Sequence, residues 1–212
     1  MNSVDRVTLF FRLPIELSVL ASCKTSLPVL PSGMQFELWT PSWTRIFPPG
    51  CANMAFFVYW LLWRFSLYKN SCFAVLFVRF NSEIIHRTVI SPGWYRFPMM
   101  ASDEIKFGEI WTEPPYRGLG IAKKSLLRIL QIIRTDAATS VPMRKLTGKV
   151  QIRGAWYINR AANAPSTALA HSVGFALVGR SLRRRPFGLN AFHRYIIEEI
   201  IEEIVLPKRK QA

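Results

Sequence analysis

A strand that runs into a turn with two glycines, and from there straight into a helix, constrains this chain more than any other feature. The stretch is Ile110-Trp111-Thr112-Glu113-Pro114-Pro115-Tyr116-Arg117-Gly118-Leu119-Gly120-Ile121-Ala122. The first N–H groups of a helix have no partner within it, and the helix dipole adds partial positive charge at that end. Glycine lets a ligand approach the backbone closely. Such a turn suits a pyrophosphate group. It is not a dinucleotide fingerprint, because Lys123 stands where the third glycine would be, and it lacks the Gly-Lys-Ser/Thr of a P-loop. An ordinary strand-to-helix turn is the plainer alternative.

Around this turn the chain alternates strands and helices. Cys72 to Phe80 is almost wholly apolar, as befits a central strand buried on both faces. Asn81-Ser82 marks a turn, Glu83 to Ile90 reads as the returning strand, and Ser91-Pro92-Gly93 ends it. Ile105 to Thr112 reads as a third strand. Ile121 to Arg134 reads as a helix, with Ala122, Leu126, Ile129, Leu130 and Ile133 at helical spacing. Val150 to Ile158 reads as a strand and Pro165 to Val173 as a short helix that ends at Gly174. Phe175 to Ser181 and Phe192 to Ile197 supply two more strands. The pattern predicts a mixed α/β or α+β domain over residues 36–200. Residues 1–35, rich in Ser, Pro and Leu, read as an irregular N-terminal extension, and 201–212 as a basic C-terminal tail.

Composition narrows the function classes. Half of the 212 residues are apolar and 19% are charged, which excludes a disordered or low-complexity chain. Lys and Arg outnumber Asp and Glu by 28 to 13, a net charge of +15, which calls for an anionic partner. Cys23, Cys51 and Cys72 form no disulfide framework or Cys-x-x-Cys pair, so a reducing, cytoplasmic setting is expected. Leu20-Ala21-Ser22-Cys23 is similar to a lipoprotein cleavage site, but Arg12, Pro14 and Glu16 interrupt the apolar run before it. The longest apolar run, Met54 to Trp63, is too short to span a membrane and reads as a buried strand or helix. His86, His171 and His193 lack metal-ligand spacing, so no metal is expected. His86 reads as a structural histidine, with His86-Arg87 facing an acceptor as the alternative.

Arg117-Gly118-Leu119-Gly120-Ile121-Ala122 resembles the Arg/Gln-x-x-Gly-x-Gly/Ala signature of the GNAT superfamily, the acyl-CoA-dependent N-acyltransferases. Asn163-Ala164-Pro165-Ser166, followed by Val173-Gly174-Phe175, is similar to the Asn-x-x-Ser…Gly-Phe element of the same fold, at the usual interval. The resemblance covers residues 71–181. It implies a GNAT fold: a mixed central sheet with helices on both faces and a V-shaped opening for acetyl-CoA as acyl donor. It further implies that the amides of Leu119, Gly120, Ile121 and Ala122 hold the pyrophosphate, with Arg117 and Gly118 shaping the turn. Ile110, Trp111 and Thr112 would pair with the pantetheine arm, and Asn163 and Ser166 would lie near it. Capping of the following helix is an equal reading of Asn163 and Ser166.

The implied reaction is acetyl transfer from the thioester to a primary amine, which needs a base for the amine and an N–H donor for the developing oxyanion. Glu109 and Glu113 are the candidate bases, and the Thr112 or Glu113 N–H the candidate donor. Strand alternation puts Glu109 on the face away from Thr112 unless a bulge re-aims it. Solvated or Arg-paired carboxylates are the plainer reading of both. The family's tyrosine acid falls at Ala170 here, leaving Tyr157 and Tyr195 as substitutes. Residues 85–92, 96–100 and 108–112 resemble a bacterial subgroup that accompanies surface-polysaccharide synthesis. That implies a small-molecule acceptor such as an amino-sugar nucleotide, with Arg96, Arg153 and Arg183-Arg184-Arg185 available to its phosphates. A catalytically weak acyl-CoA-binding protein and a basic nucleic-acid-binding protein are the competing readings. Against nucleic acid, the aromatics sit in core-like runs such as Phe56 to Trp63. A homodimer is left open.

Overall fold

A computed structural model describes residues 7–15, 28–52, 54–135, 151–182 and 194–201. Among them are strands β1 (Val7–Pro14), β2 (Met34–Trp39), β3 (Ala74–Phe80), β4 (Glu83–Pro92), β5 (Glu104–Thr112), β6 (Gly154–Arg160), β7 (Ala176–Leu182) and β8 (Glu199–Ile200), and helices α1 (Met54–Arg64), α2 (Ile121–Thr135) and α3 (Ala164–Val173). All eight strands form one sheet in the order β2-β3-β4-β5-β6-β1-β7-β8. Neighbours are antiparallel except β5 and β6, which run parallel.

Side-chain alternation divides the core between the two faces. Leu76, Ile90 and Phe107 pack with Leu126, Ile129 and Leu130 of α2 and Ala170 of α3. Val75, Phe77 and Val89 pack on the opposite face with Phe56 and Leu62 of α1. β3 is therefore buried on both faces along Ala74–Val78, as its almost wholly apolar run predicts. The Met54–Trp63 run is a helix rather than a strand, and Met54 and Val58 on its outer side are exposed. Among the described residues no helix is long and apolar enough to cross a membrane.

The expected irregular extension over 1–35 needs correction. Val7–Pro14 is a strand inside the sheet, paired antiparallel with β6 on one side and β7 on the other. Leu9 and Phe11 face the α2 side, and Phe10 faces the other, beside Phe97 and Trp156. Polar bonds reinforce this: Arg12 donates through Nε (3.0 Å) and an Nη (2.8 Å) to Glu104 Oε1 of β5. Glu104 Oε2 also accepts from Trp156 Nε1 of β6 at 2.8 Å and the Ala101 amide at 2.6 Å. The run Val7-Thr8-Leu9-Phe10-Phe11 is a strand signal, which the Pro and Ser that follow it mask.

A second correction concerns Phe192 to Ile197. Phe192 and His193 lie outside the described residues, and Arg194–Ile197 form no strand beyond a single bridge at Arg194. The inner edge of β7 is already taken by β1. The segment instead lies across the sheet, with the Tyr195 amide donating to Arg96 O and Tyr195 and Ile197 packed beside Phe97. The chain then adds only β8 to the outer edge of β7.

Candidate active site

The site is built where two parallel strands part. β5 and β6 pair from Glu104–Gly154 to Phe107–Tyr157. Beyond that point β5 continues to Thr112 and β6 to Arg160 without pairing with each other. A wedge opens between them, with a strand edge along each side.

β5 is bulged inside this wedge. Arg87 of β4 faces Trp111, and Val89 faces Gly108, so three steps on β5 match two on β4. Glu109 takes up the extra residue with φ +47°, in the left-handed region. Counted from Phe107 on the α2 side, regular alternation would put Glu109 on that side too; the bulge turns it to the α1 side, the face away from Thr112, which bonds His86. Its Oε1 accepts a 2.5 Å hydrogen bond from Tyr59 Oη of α1. Burial, and then the Glu109 charge, push the Tyr59 phenol well above its ordinary range, so it acts here as a donor. Lys106 and Arg96 add positive charge to the same cluster. Burial pushes Lys106 down to about 8, against the opposing effect of Glu109.

The turn after β5 is held at both ends and open in the middle. Arg117 Nε donates to Thr112 O at 3.0 Å, and Tyr116 packs on Phe80 of β3. Ile121 is buried and anchors the start of α2. Between them Gly118 and Gly120 have φ of +80° and +71°, and a Cβ on either would meet nothing within 4 Å. Leu119 is half exposed. Gly118 and Gly120 thus border open space just before the first turn of α2, a geometry that fits a phosphate-bearing ligand.

The other wall of the wedge carries a phenol. Asn163 Oδ1 accepts from the Ser166 amide at 3.2 Å, so the capping reading of Asn163 is met. Ser166 Oγ lies 2.7 Å from Tyr157 Oη, at the last residue of β6 paired with β5. Burial pushes the Tyr157 phenol up, and the bond to Ser166 opposes that. Ala170 is fully buried in the core, so its position offers no group to the wedge. Tyr195 lies on the opposite face, stacked on Phe97 at 5.2 Å.

Other candidates fall differently. The Glu113 amide donates to Ile85 O at 2.9 Å, which removes it as an oxyanion donor. Thr112 Oγ1 lies 2.7 Å from Nδ1 of His86, whose Nε2 is 2.9 Å from Thr88 Oγ1. His86 is fully buried and its pKa is pushed down to about 4, so it is a neutral structural group. Arg153 lies before β6, at the paired end of the seam, away from the wedge. Arg183, Arg184 and Arg185 lie outside the described residues. Beside Trp111, on the side of Cys51 and Arg87, is a cavity of about 440 Å³ lined also by Arg79 and Glu83. Tyr59 and Lys106 were missed in the sequence: the first is distant along the chain, and the second is a cation set in an apolar strand, which was a usable signal.

No family model and no curated protein matches the sequence. Among solved structures, the chain is similar to a tandem GNAT protein from the clavulanic acid biosynthesis pathway, with a TM-score of 0.50 and 13% identity over 81% of this chain. It is also similar to a GCN5-related N-acetyltransferase from Sphaerobacter thermophilus (TM-score 0.49, 14% identity, 84% of this chain). The chain spans 50% of each of those two chains, about half their length. The likeness to the tandem protein establishes the fold. This is a GNAT fold, an α+β architecture whose mixed sheet carries helices on both faces.

Proposed function

We propose that the protein is an acetyl-CoA-dependent N-acetyltransferase acting on a primary amine of a small molecule. The observation that carries this reading is the wedge beyond Phe107–Tyr157, with β5 running on into the open turn at Gly118–Gly120. The pantetheine arm lies along the free edge of β5 at Ile110, Trp111 and Thr112. The pyrophosphate meets the amides of Leu119, Gly120, Ile121 and Ala122. Asn163 and Ser166 border the arm from α3.

In the reaction the amine attacks the thioester carbonyl, and its proton passes to Glu109, which the bulge presents beside Tyr59. A bulge leaves its extra residue out of the strand ladder, so the N–H groups of Glu109 and Ile110 suit the oxyanion. Tyr157 gives a proton to the departing thiolate and takes the place of the missing phenol at Ala170. Arg96, near Tyr59, and Arg87, beside the cavity, suit an acceptor that carries phosphate or carboxylate. An amino-sugar nucleotide belongs to that class.

Calorimetric titration with acetyl-CoA tests the reading, on the wild type and on Gly120→Glu. The carboxylate would enter the phosphate cradle, so binding by the wild type and its loss in a folded variant are expected. No binding by the folded wild type would refute the assignment.

A further inference from the structure

The first residue of β5 beyond the paired seam is Gly108, and the Lys106 side chain is folded over it. A Cβ at Gly108 would lie 2.5 Å from Lys106 Nζ, so the amine occupies the space that a side chain at this position would fill. The Lys106 side chain makes no hydrogen bond or ion pair among the described residues. Its Nζ sits 4.9 Å from the centre of the Phe97 ring, from the loop between β4 and β5. The charged or titratable groups around it are Glu109 on β5 and Arg96 on that loop. Tyr59 of α1 and Tyr195 adjoin the same cluster. Lys106 therefore places a primary amine at the closed end of the wedge, two residues before Gly108, where β5 leaves β6, and on the face that presents Glu109.

We propose that Lys106 is itself an acyl acceptor, and that the protein acetylates this side chain from acetyl-CoA. The inference rests on the acetyltransferase reading. Neutral Nζ attacks the thioester carbonyl, the C–N bond forms and the C–S bond breaks. The nitrogen loses a proton to Glu109, and the thiolate leaves and is protonated to the free thiol. No further co-reactant is needed. The environment supplies the reactive form: with its pKa pushed down to about 8, Lys106 is about a hundredfold richer in neutral amine at pH 8 than an ordinary lysine.

The test uses the full chain with acetyl-CoA and no added amine, followed by intact mass, peptide mapping and calorimetry on the same sample. One added acetyl group is expected, mapped to Lys106. It should form at least about tenfold faster than on any other lysine, with a rate that rises with pH and levels off above about pH 8. Lys106→Arg should lose that adduct, and folded Gly120→Glu should lose it together with acetyl-CoA binding. Acetyl-CoA binding without preferential modification of Lys106 would overturn the inference and leave the acetyltransferase reading intact. Modification at an unchanged rate in Gly120→Glu would also overturn it, as direct chemical acetylation. Absence of binding by the wild type would refute the acetyltransferase reading, and the inference would fall with it.

Discussion

Phe107 and Tyr157 are the last residues of β5 and β6 to face one another, and the phenol of Tyr157 points from that final pair to Ser166 on α3. The end of the parallel seam and the proposed proton donor are thus the same place in the fold. On the proposed reading, an acyl donor along the free edge of β5 would meet this hydroxyl without a phenol on α3, where Ala170 is a buried core residue.

Tyr157→Phe keeps the ring contacts with Phe11 and Phe175 and removes only the hydroxyl. The expected result is a fall in kcat of about a hundredfold, typical of a lost general acid. KM for acetyl-CoA should change little. Steady-state measurement of thiol release across a panel of amines reads both. An unaltered kcat would remove Tyr157 from the mechanism.

Glu109→Gln retains an acceptor for Tyr59 but cannot take a proton at working pH. Acetyl-CoA binding should persist by calorimetry while kcat drops about a hundredfold. Equal rates for the two proteins across the pH range would show that another group, or water alone, deprotonates the amine.

Glu104 is 3% exposed and ties β1 to β5 and β6 through Arg12 and Trp156. Glu104→Ala leaves the Arg12 guanidinium, whose side chain is 13% exposed, without its carboxylate. A loss of about 3–5 kcal/mol is expected, as for removal of one partner from a buried pair. Urea unfolding measures it. A loss below about 1 kcal/mol, the range of surface pairs, would mean that β1 is held by packing alone.

His86 makes stability depend on pH. Its folded pKa of about 4 lies below the ordinary 6.5. Above pH 6.5 both folded and unfolded chains carry the neutral ring. As pH falls from 6.5 toward 4, only the unfolded chain takes up the proton, and the folded state loses stability. The slope approaches about 1.4 kcal/mol per pH unit, so about 2 kcal/mol is lost between pH 7 and pH 5. Urea unfolding of the wild type and His86→Gln at those two values isolates this contribution. Equal pH slopes for the two proteins would rule it out.

Short-range features were readable from residues alone. The glycines of the turn, the helical spacing of α2, the almost wholly apolar run of β3 and the Asn163 cap all act within a few positions of themselves, so local propensity decides them. What the residues could not show is what depends on partners far along the chain. Whether Val7–Pro14 hangs free or enters the sheet depends on a gap between β6 and β7, at least 140 positions away. The Glu109 bulge exists because β4 and β5 are one residue out of step, and only their pairing reveals it. Tyr59 meets Glu109, and Tyr157 meets Ser166, because α1 and α3 dock on opposite faces of one sheet. The sequence by itself determined the turn that can hold a phosphate. The tertiary structure decided which carboxylate, which phenol and which lysine stand around the wedge, because side chains converge only when separate strands and helices pack together.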